Sequence, residues 1–162
     1  MRFTYQSRYQ SSRRYLRDLV GMGMGRMLFF MLAGINDCWY TKDENSTAAD
    51  SRADDGVYTA SRFGNLLGGI WRQAPDALIL ASTLPRNLKE WEDECICSFN
   101  TILPSVIRRA ASKGQQIRMV NMYDVLPTSE MHEDGTHLTD HGYQLMAQHW
   151  YDALYDATNI SA

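Results

Sequence analysis

The sequence predicts a three-layer α/β/α domain built on a parallel sheet. Short apolar runs at residues 27–33, 77–81 and 117–122 alternate with longer stretches of helical periodicity, the pattern of strands joined by crossover helices. The first two runs lack polar alternation, as strands covered on both faces do. With 162 residues the chain is long enough for one domain with a real core and too short for two typical ones.

Residues 1–26 read differently from the rest. Arg2, Arg8, Arg13, Arg14, Arg17 and Arg26 stand against the single acid Asp18, and the segment ends in Gly21-Met22-Gly23-Met24-Gly25. Its composition fits a mitochondrial transit peptide, and it lacks the apolar core of a secretory signal. The plainer readings are preferred: a short helix over 13–20 with a glycine linker, or a segment foreign to the domain. The compartment is left unassigned.

Met27-Leu28-Phe29-Phe30-Met31-Leu32-Ala33 is the first buried strand and ends at Gly34. Residues 38–55 are polar and acidic, a long surface loop that includes the glycosylation acceptor pattern Asn45-Ser46-Thr47. From 57 to 73, Tyr58, Phe63, Leu66, Leu67, Ile70 and Trp71 recur at helical spacing. Ala74-Pro75-Asp76 breaks this helix. The second strand, 77–81, follows and closes in Ser82-Thr83-Leu84-Pro85-Arg86.

A long helical stretch over 91–113 turns Ile96, Phe99, Ile102, Leu103, Val106 and Ile107 inward, with Pro104 as either a kink or a join between two helices. Gly114 is its C-terminal glycine. The third strand, 117–122, is less uniformly apolar and therefore nearer an edge. The last helix, 139–157, buries Tyr143, Leu145, Met146, Trp150, Leu154 and Tyr155. Trp71, Trp91 and Trp150 sit at helical core spacing and are read as core residues rather than sugar-stacking platforms. The domain thus spans 27–157, with 158–162 as a tail.

Bulk composition names no partner. An apolar fraction of 44%, a charged fraction of 22% and a net charge of −3 describe an ordinary globular chain and do not suggest nucleic-acid binding. The longest apolar run falls far short of the roughly 20 residues of a membrane span, so no membrane partner is expected. Cys38, Cys95 and Cys97 lack zinc-site spacing; they are read as three free thiols or as a disulfide from Cys38 to Cys95 or Cys97. His132, His137, His141 and His149 cluster near Glu133 and Asp134, and are read as loop and helix-surface residues, not as a metal site. No cofactor is implied.

In open parallel sheets ligands bind beyond the carboxyl ends of the strands. Gly34-Ile35-Asn36-Asp37 follows the first strand, and the loop Met131-His132-Glu133-Asp134-Gly135-Thr136-His137 follows the third. An acid three residues before a histidine, in a turn with a glycine, can orient an imidazole for proton transfer. His137 is the candidate base, Asp134 its orienting acid, and the Asn36 amide a candidate donor to an oxyanion. Trp39 and Tyr40 are candidate pocket-lining residues. Asp37 is read as supporting the turn.

These residues resemble the SGNH, or GDSL-type, hydrolases. Gly34-Ile35-Asn36-Asp37 is similar to their block III, and Asp134-Gly135-Thr136-His137-Leu138 with Gly142-Tyr143 to their block V. The intervening order, including Leu84-Pro85 and Phe99-Asn100, is similar to the small fungal and bacterial carbohydrate-esterase branch. The resemblance covers residues 27–157.

It implies a flavodoxin-like 2-1-3-4-5 parallel sheet and a serine esterase acting on an acetyl ester or similar small ester, including acetylated carbohydrate. In that mechanism Asn36 lies in the oxyanion hole, Asp134 is the acid and His137 the base. Family members carry the nucleophile in a Gly-Asp-Ser motif after the first strand and a second oxyanion-hole glycine in a following block. Neither motif precedes Gly34, and Ser7, Ser11 and Ser12 have no buried strand ahead of them.

The nucleophile is therefore unassigned. The sequence reads as a version of the domain truncated at its N-terminus to about three strands, either still an esterase or an inactive relative that binds a ligand or partner. The first strand would then present an apolar edge, predicting self-association unless residues 13–20 cover it.

Overall fold

The structure, a computed structural model, describes residues 27–38 and 56–159. Three strands form one parallel sheet in the order β1 (Leu28–Met31), β2 (Leu78–Ser82), β3 (Gln116–Val120). Leu28 pairs with Leu78 and Met31 with Ala81, while Leu78 pairs with Gln116 and Ser82 with Val120. The three strands therefore start level and end at one edge.

Helices α1 (Gly56–Gln73), α2 (Glu90–Ala111) and α3 (Asp140–Asn159) complete the described fold. Strand order advances in one direction, so successive right-handed crossovers place α1 and α2 on the same face. On that face Ile79 and Ala81 of β2 pack with Phe63 and Leu67 of α1 and with Ile96, Phe99, Leu103 and Ile107 of α2. Phe63 and Phe99 meet edge to face, with ring centroids 5.8 Å apart. The opposite face carries Leu80 and Val120 against Met122, Leu126, Met131, Leu138 and Met146. Helix α3 covers this side, and its Trp150 packs edge-on against Phe30 at 5.3 Å. The expected three layers with helices on both faces are present.

The strands differ as their sequences do. β2 is central, with Leu80, Ala81 and Ser82 wholly buried. Among the described residues β3 is an edge, burying only Ile117 and Val120 of its five residues. Among the described residues β1 forms the other edge, leaving Met27, Phe30 and Leu32 exposed.

Several expected core positions face water instead. Tyr58 and Leu66 on α1, Trp91 on α2, and Tyr143 and Tyr155 on α3 are all exposed. Helical spacing predicts a stripe wider than the strip of sheet each helix covers. The three described strands do not bury the flanks of that stripe. Pro104 marks neither a break nor a join: α2 runs continuously through it. The helix then stops at Ala111, and Gly114, with φ of 93°, lets the Gln115 N–H reach the Ala110 carbonyl.

A disulfide joins Cys38 to Cys95, which resolves the alternatives left open by cysteine spacing and leaves Cys97 free and exposed. Beside it, Gly56 opens α1 against the α2 backbone. A Cβ there would lie 2.1 Å from the Phe99 nitrogen, so only glycine permits this approach. No described helix is long and apolar enough to cross a membrane.

The disulfide closes a loop of 57 residues, and a loop of that size gives about 4 kcal/mol by chain entropy. Urea unfolding of Cys95→Ser should therefore show a loss near that size, whereas a shift of under about 1 kcal/mol would show that the bond constrains little.

Candidate active site

The candidate residues come from the loops that leave β1, β2 and β3 at their carboxyl ends. After β1 the chain turns at Gly34, whose φ of 124° is unfavourable for any residue with a side chain. A Cβ at Gly34 would also stand 2.7 Å from Thr59 Cγ2. The next three residues, Ile35–Asp37, form one short 3-10 turn. It holds Asn36 exposed between Gly34 and the disulfide-bonded Cys38. Its neighbour Asp37 accepts from Arg62 of α1 at 2.5 Å, the turn-supporting role its position suggests.

After β2, Thr83 accepts from the backbone N–H groups of Met122 and Tyr123 at 2.8 and 3.0 Å, which ties the exits of β2 and β3 together. Asn100 of α2 clamps the next residue at both polar groups. Its Oδ1 accepts from Leu84 N at 2.8 Å, and its Nδ2 donates to Leu84 O at 3.0 Å.

The loop after β3 is closed as a small hairpin, with an isolated antiparallel bridge between Met131 and Leu138. His132 N donates to His137 O at 2.8 Å, and Gly135 N to His132 O at 2.9 Å. Gly135 takes φ of 73° and presses against Leu88, whose N–H donates to the Gly135 carbonyl at 2.8 Å. At the far end Thr139 caps α3. Its hydroxyl accepts from Gly142 N at 3.1 Å and donates to Glu130 at 2.6 Å, and Glu130 also pairs with His141 at 3.0 Å. That hydroxyl and His141 hold the Glu130 carboxyl below its usual range.

Inside this hairpin the structure brings Asp134 and His137 into contact, with Asp134 Oδ2 and His137 Nδ1 2.6 Å apart. The other oxygen, Oδ1, accepts from the backbone N–H groups of His137 and Thr136, each at 2.9 Å. Those two backbone donors, and then the imidazole, hold the Asp134 carboxyl well below the ordinary carboxylate range. Both side chains are about half exposed. The carboxylate thus fixes one ring nitrogen, and the other, Nε2, makes no hydrogen bond among the described residues. Chemically, such a pair can accept a proton at Nε2 when Nδ1 carries its hydrogen toward the carboxylate.

Asn36 lies at the same edge of the sheet, on the β1 side, and makes no hydrogen bond to either residue. Trp39 and Tyr40 lie outside the described residues, as do Ser7, Ser11 and Ser12. Along the rim, Arg86 stacks over the Tyr123 ring at 4.2 Å. The Tyr123 hydroxyl donates to Asp93 at 3.0 Å and lies 2.9 Å from Cys97 Sγ. Burial first, then Cys97 and Asp93, push this phenol above its ordinary range, so it stays protonated.

Sequence reasoning missed the groups behind the hairpin. Glu92, on α2, is 1% exposed. It accepts from Asn87 Nδ2 at 2.5 Å, Lys89 Nζ at 3.1 Å and Thr136 Oγ1 at 3.4 Å. The signal was present: Glu92 occupies a core position of the stripe Glu92, Ile96, Phe99, Leu103, Ile107. A charged residue at an inward position of a helix needs partners that spacing does not name.

Known proteins give the fold its context. No protein-family model matches the chain. An Acetivibrio thermocellus protein provisionally named endoglucanase X is 25% identical over 104 residues, covering 62% of this chain and 44% of that protein. A solved acetyl esterase, a serine-to-alanine mutant with acetate ion, superposes with a TM-score of 0.65 at 14% identity over 83% of this chain and 60% of its own. A carbohydrate esterase family 3 structure from Talaromyces cellulolyticus superposes at 0.60 with 12% identity, over 89% and 63% of the two chains. The chain shares the α/β fold of these esterase structures. A family two carbohydrate esterase from Clostridium thermocellum, solved as an active-site mutant, shares it at a TM-score of 0.57 and 20% identity, over 80% of this chain and 35% of that one. The chain thus spans less than two thirds of the length of each of these proteins.

Asp134 ties acid stability to this loop. Its folded-state affinity for protons is depressed, so its stabilisation is full above the unfolded-state value of about 3.9 and is lost progressively as pH falls from there through the depressed folded-state value. Thermal melts of the wild type and Asp134→Asn should differ at neutral pH, and the gap should start to close only below about pH 4 and narrow steadily with further acid. A gap that stays constant through acid would show that the carboxylate charge is not what the loop uses.

Proposed function

We propose that this chain is an SGNH-type serine ester hydrolase acting on acetyl or similar small esters, with acetylated carbohydrate as the favoured class. The observation that carries the reading is the 2.6 Å contact of Asp134 with His137 Nδ1, with the second carboxylate oxygen locked by two backbone donors. That arrangement fits an acid–base pair in acyl transfer. Its place on a fold shared with structures described as acetyl and carbohydrate esterases supports the substrate class.

In this reading His137 Nε2 takes the proton of a serine hydroxyl as its Oγ attacks the ester carbonyl carbon. Asp134 keeps the Nδ1 proton in place and stabilises the imidazolium that forms. The Asn36 amide donates to the carbonyl oxygen as it becomes an oxyanion. His137 returns the proton to the leaving alcohol, and water repeats the sequence on the acyl-enzyme. The attacking serine is the participant not assigned to a residue.

A second reading has its own observation. None of the residues assigned to the site is a serine, and without a serine hydroxyl His137 has nothing to deprotonate by this route. The chain would then bind an ester or a partner without turnover.

Hydrolysis of p-nitrophenyl acetate by the purified chain separates the two. The esterase reading expects turnover that is abolished in His137→Ala. It expects reductions of roughly 100-fold or more in Asp134→Asn and roughly 100- to 1,000-fold in Asn36→Ala. A wild-type rate equal to that of buffer overturns it and leaves the binding reading.

A further inference from the structure

We propose that Glu92 is a positioning residue for the His137–Asp134 pair, acting through Asn87 and Thr136 to fix which nitrogen of His137 carries the proton. The inference rests on the ester-hydrolase reading of the same site and concerns what lies beneath it.

Three side chains form a closed triangle. Asn87 Nδ2 donates to Glu92 Oε2 at 2.5 Å and to Thr136 Oγ1 at 3.1 Å, and Thr136 Oγ1 donates to Glu92 Oε2 at 3.4 Å. The triangle is anchored on the α2 side. Asn87 N donates to Asp93 Oδ1 at 2.9 Å, and Asn87 Oδ1 accepts from Lys89 N at 2.9 Å. The amide of Asn87 is therefore fully engaged, and its Nδ2 can point only where the backbone of 87–89 aims it.

Thr136 is held at both ends. Its hydroxyl is in the triangle, while its backbone N–H donates to Asp134 Oδ1. It also stands between Gly135, which accepts from Leu88, and His137, whose N–H is the second donor to the same oxygen. A backbone rotation at Thr136 that carries its hydroxyl off Glu92 would swing both backbone donors away from Asp134. The carboxylate would then lose the two bonds that hold its plane, and with them the direction of Oδ2 toward Nδ1.

Burial explains why a carboxylate does this work. A side chain with 1% exposure loses nearly all its hydration, so its acceptor oxygens must be met by directed donors. An apolar residue of the same size would fill the volume on α2 and leave Asn87 and Thr136 without an acceptor. What the carboxylate adds is directed acceptor oxygens, one met by Asn87 and Thr136 and the other by Lys89 from the surface side.

The chemical consequence lies in the tautomer. A general base needs a free lone pair at Nε2, so neutral His137 must carry its proton on Nδ1, toward Asp134. Free imidazole side chains favour the other tautomer, so the Nδ1–H form depends on the aim of the carboxylate.

Long-range nitrogen–proton NMR correlations on the full chain read this directly, with the His137 signals identified by their loss in His137→Gln. The expected result is an Nδ1–H form in the wild type and an Nε2–H form in Asp134→Asn. Thr136→Val, which removes the hydroxyl and keeps the shape, should move at least half the population to Nε2–H, and Asn87→Ala should do the same. Glu92→Gln retains an acceptor oxygen and should stay with the wild type. A wild-type tautomer in Thr136→Val, with only a lowered melting temperature, would make Glu92 a stabilising residue alone and overturn the proposal. An Nε2–H form in the wild type would overturn it as well. The readout needs no turnover, so an inactive chain sinks the esterase reading and leaves this one standing, and the reverse is equally distinguishable.

Discussion

The parallel pairing of β2 with both neighbours is the constraint on which the rest depends. A parallel ladder sends every strand the same way, so each loop that leaves a carboxyl end emerges on one side of the molecule. The level register of Leu28, Leu78 and Gln116 then sets the three exits side by side. Asn36, the 83–89 segment and the Asp134–His137 hairpin gather there because the sheet offers no other place. Burial of β2 on both faces holds that pairing, since a slip by one residue would exchange Ile79 and Ala81 with Leu80 between two different cores.

Helix α2 converts this common edge into a defined site. It carries Cys95, bonded to the turn after β1; Asn100, clamped on Leu84 after β2; and Glu92, joined to the hairpin after β3. One rigid helix thus touches the loop of every strand. The close approach of Gly56 to its backbone, and the row Ile96, Phe99, Leu103 and Ile107 beneath, fix where that helix lies. Loops with long reach and few apolar residues are ordered here by directed bonds to a buried element.

Asp134 and His137 show how an exposed pair can still be well oriented. Solvent screening makes a half-exposed ion pair a weak source of energy. The geometry comes from the backbone instead, through two N–H donors aimed at one oxygen and a β-bridge closing the hairpin behind them. The same donors depress the carboxyl's affinity for protons, so the charge that orients the imidazole persists through the neutral range.

The sequence by itself determined the order of elements, the parallel sheet and the acid–histidine pair. Those rest on local patterns: unbroken apolar runs, 3.6-residue periodicity, and an acid three residues from a histidine across a glycine. It placed Asn36 at a strand end for the same reason. It did not determine which flank of each helical stripe meets the sheet, so Tyr58, Leu66, Tyr143 and Tyr155 have core spacing and yet lie exposed. Nor could spacing choose among cysteine pairings 57 and 59 residues apart; the approach of α1 and the post-β1 turn to α2 chose Cys95. Glu92 is the sharpest case. Its inward position was visible in the stripe, but its partners come from 5 residues away at Asn87 and 44 at Thr136. Only the tertiary structure brings those donors to a buried carboxylate, because directed hydrogen bonds between distant segments leave no periodic trace in a chain.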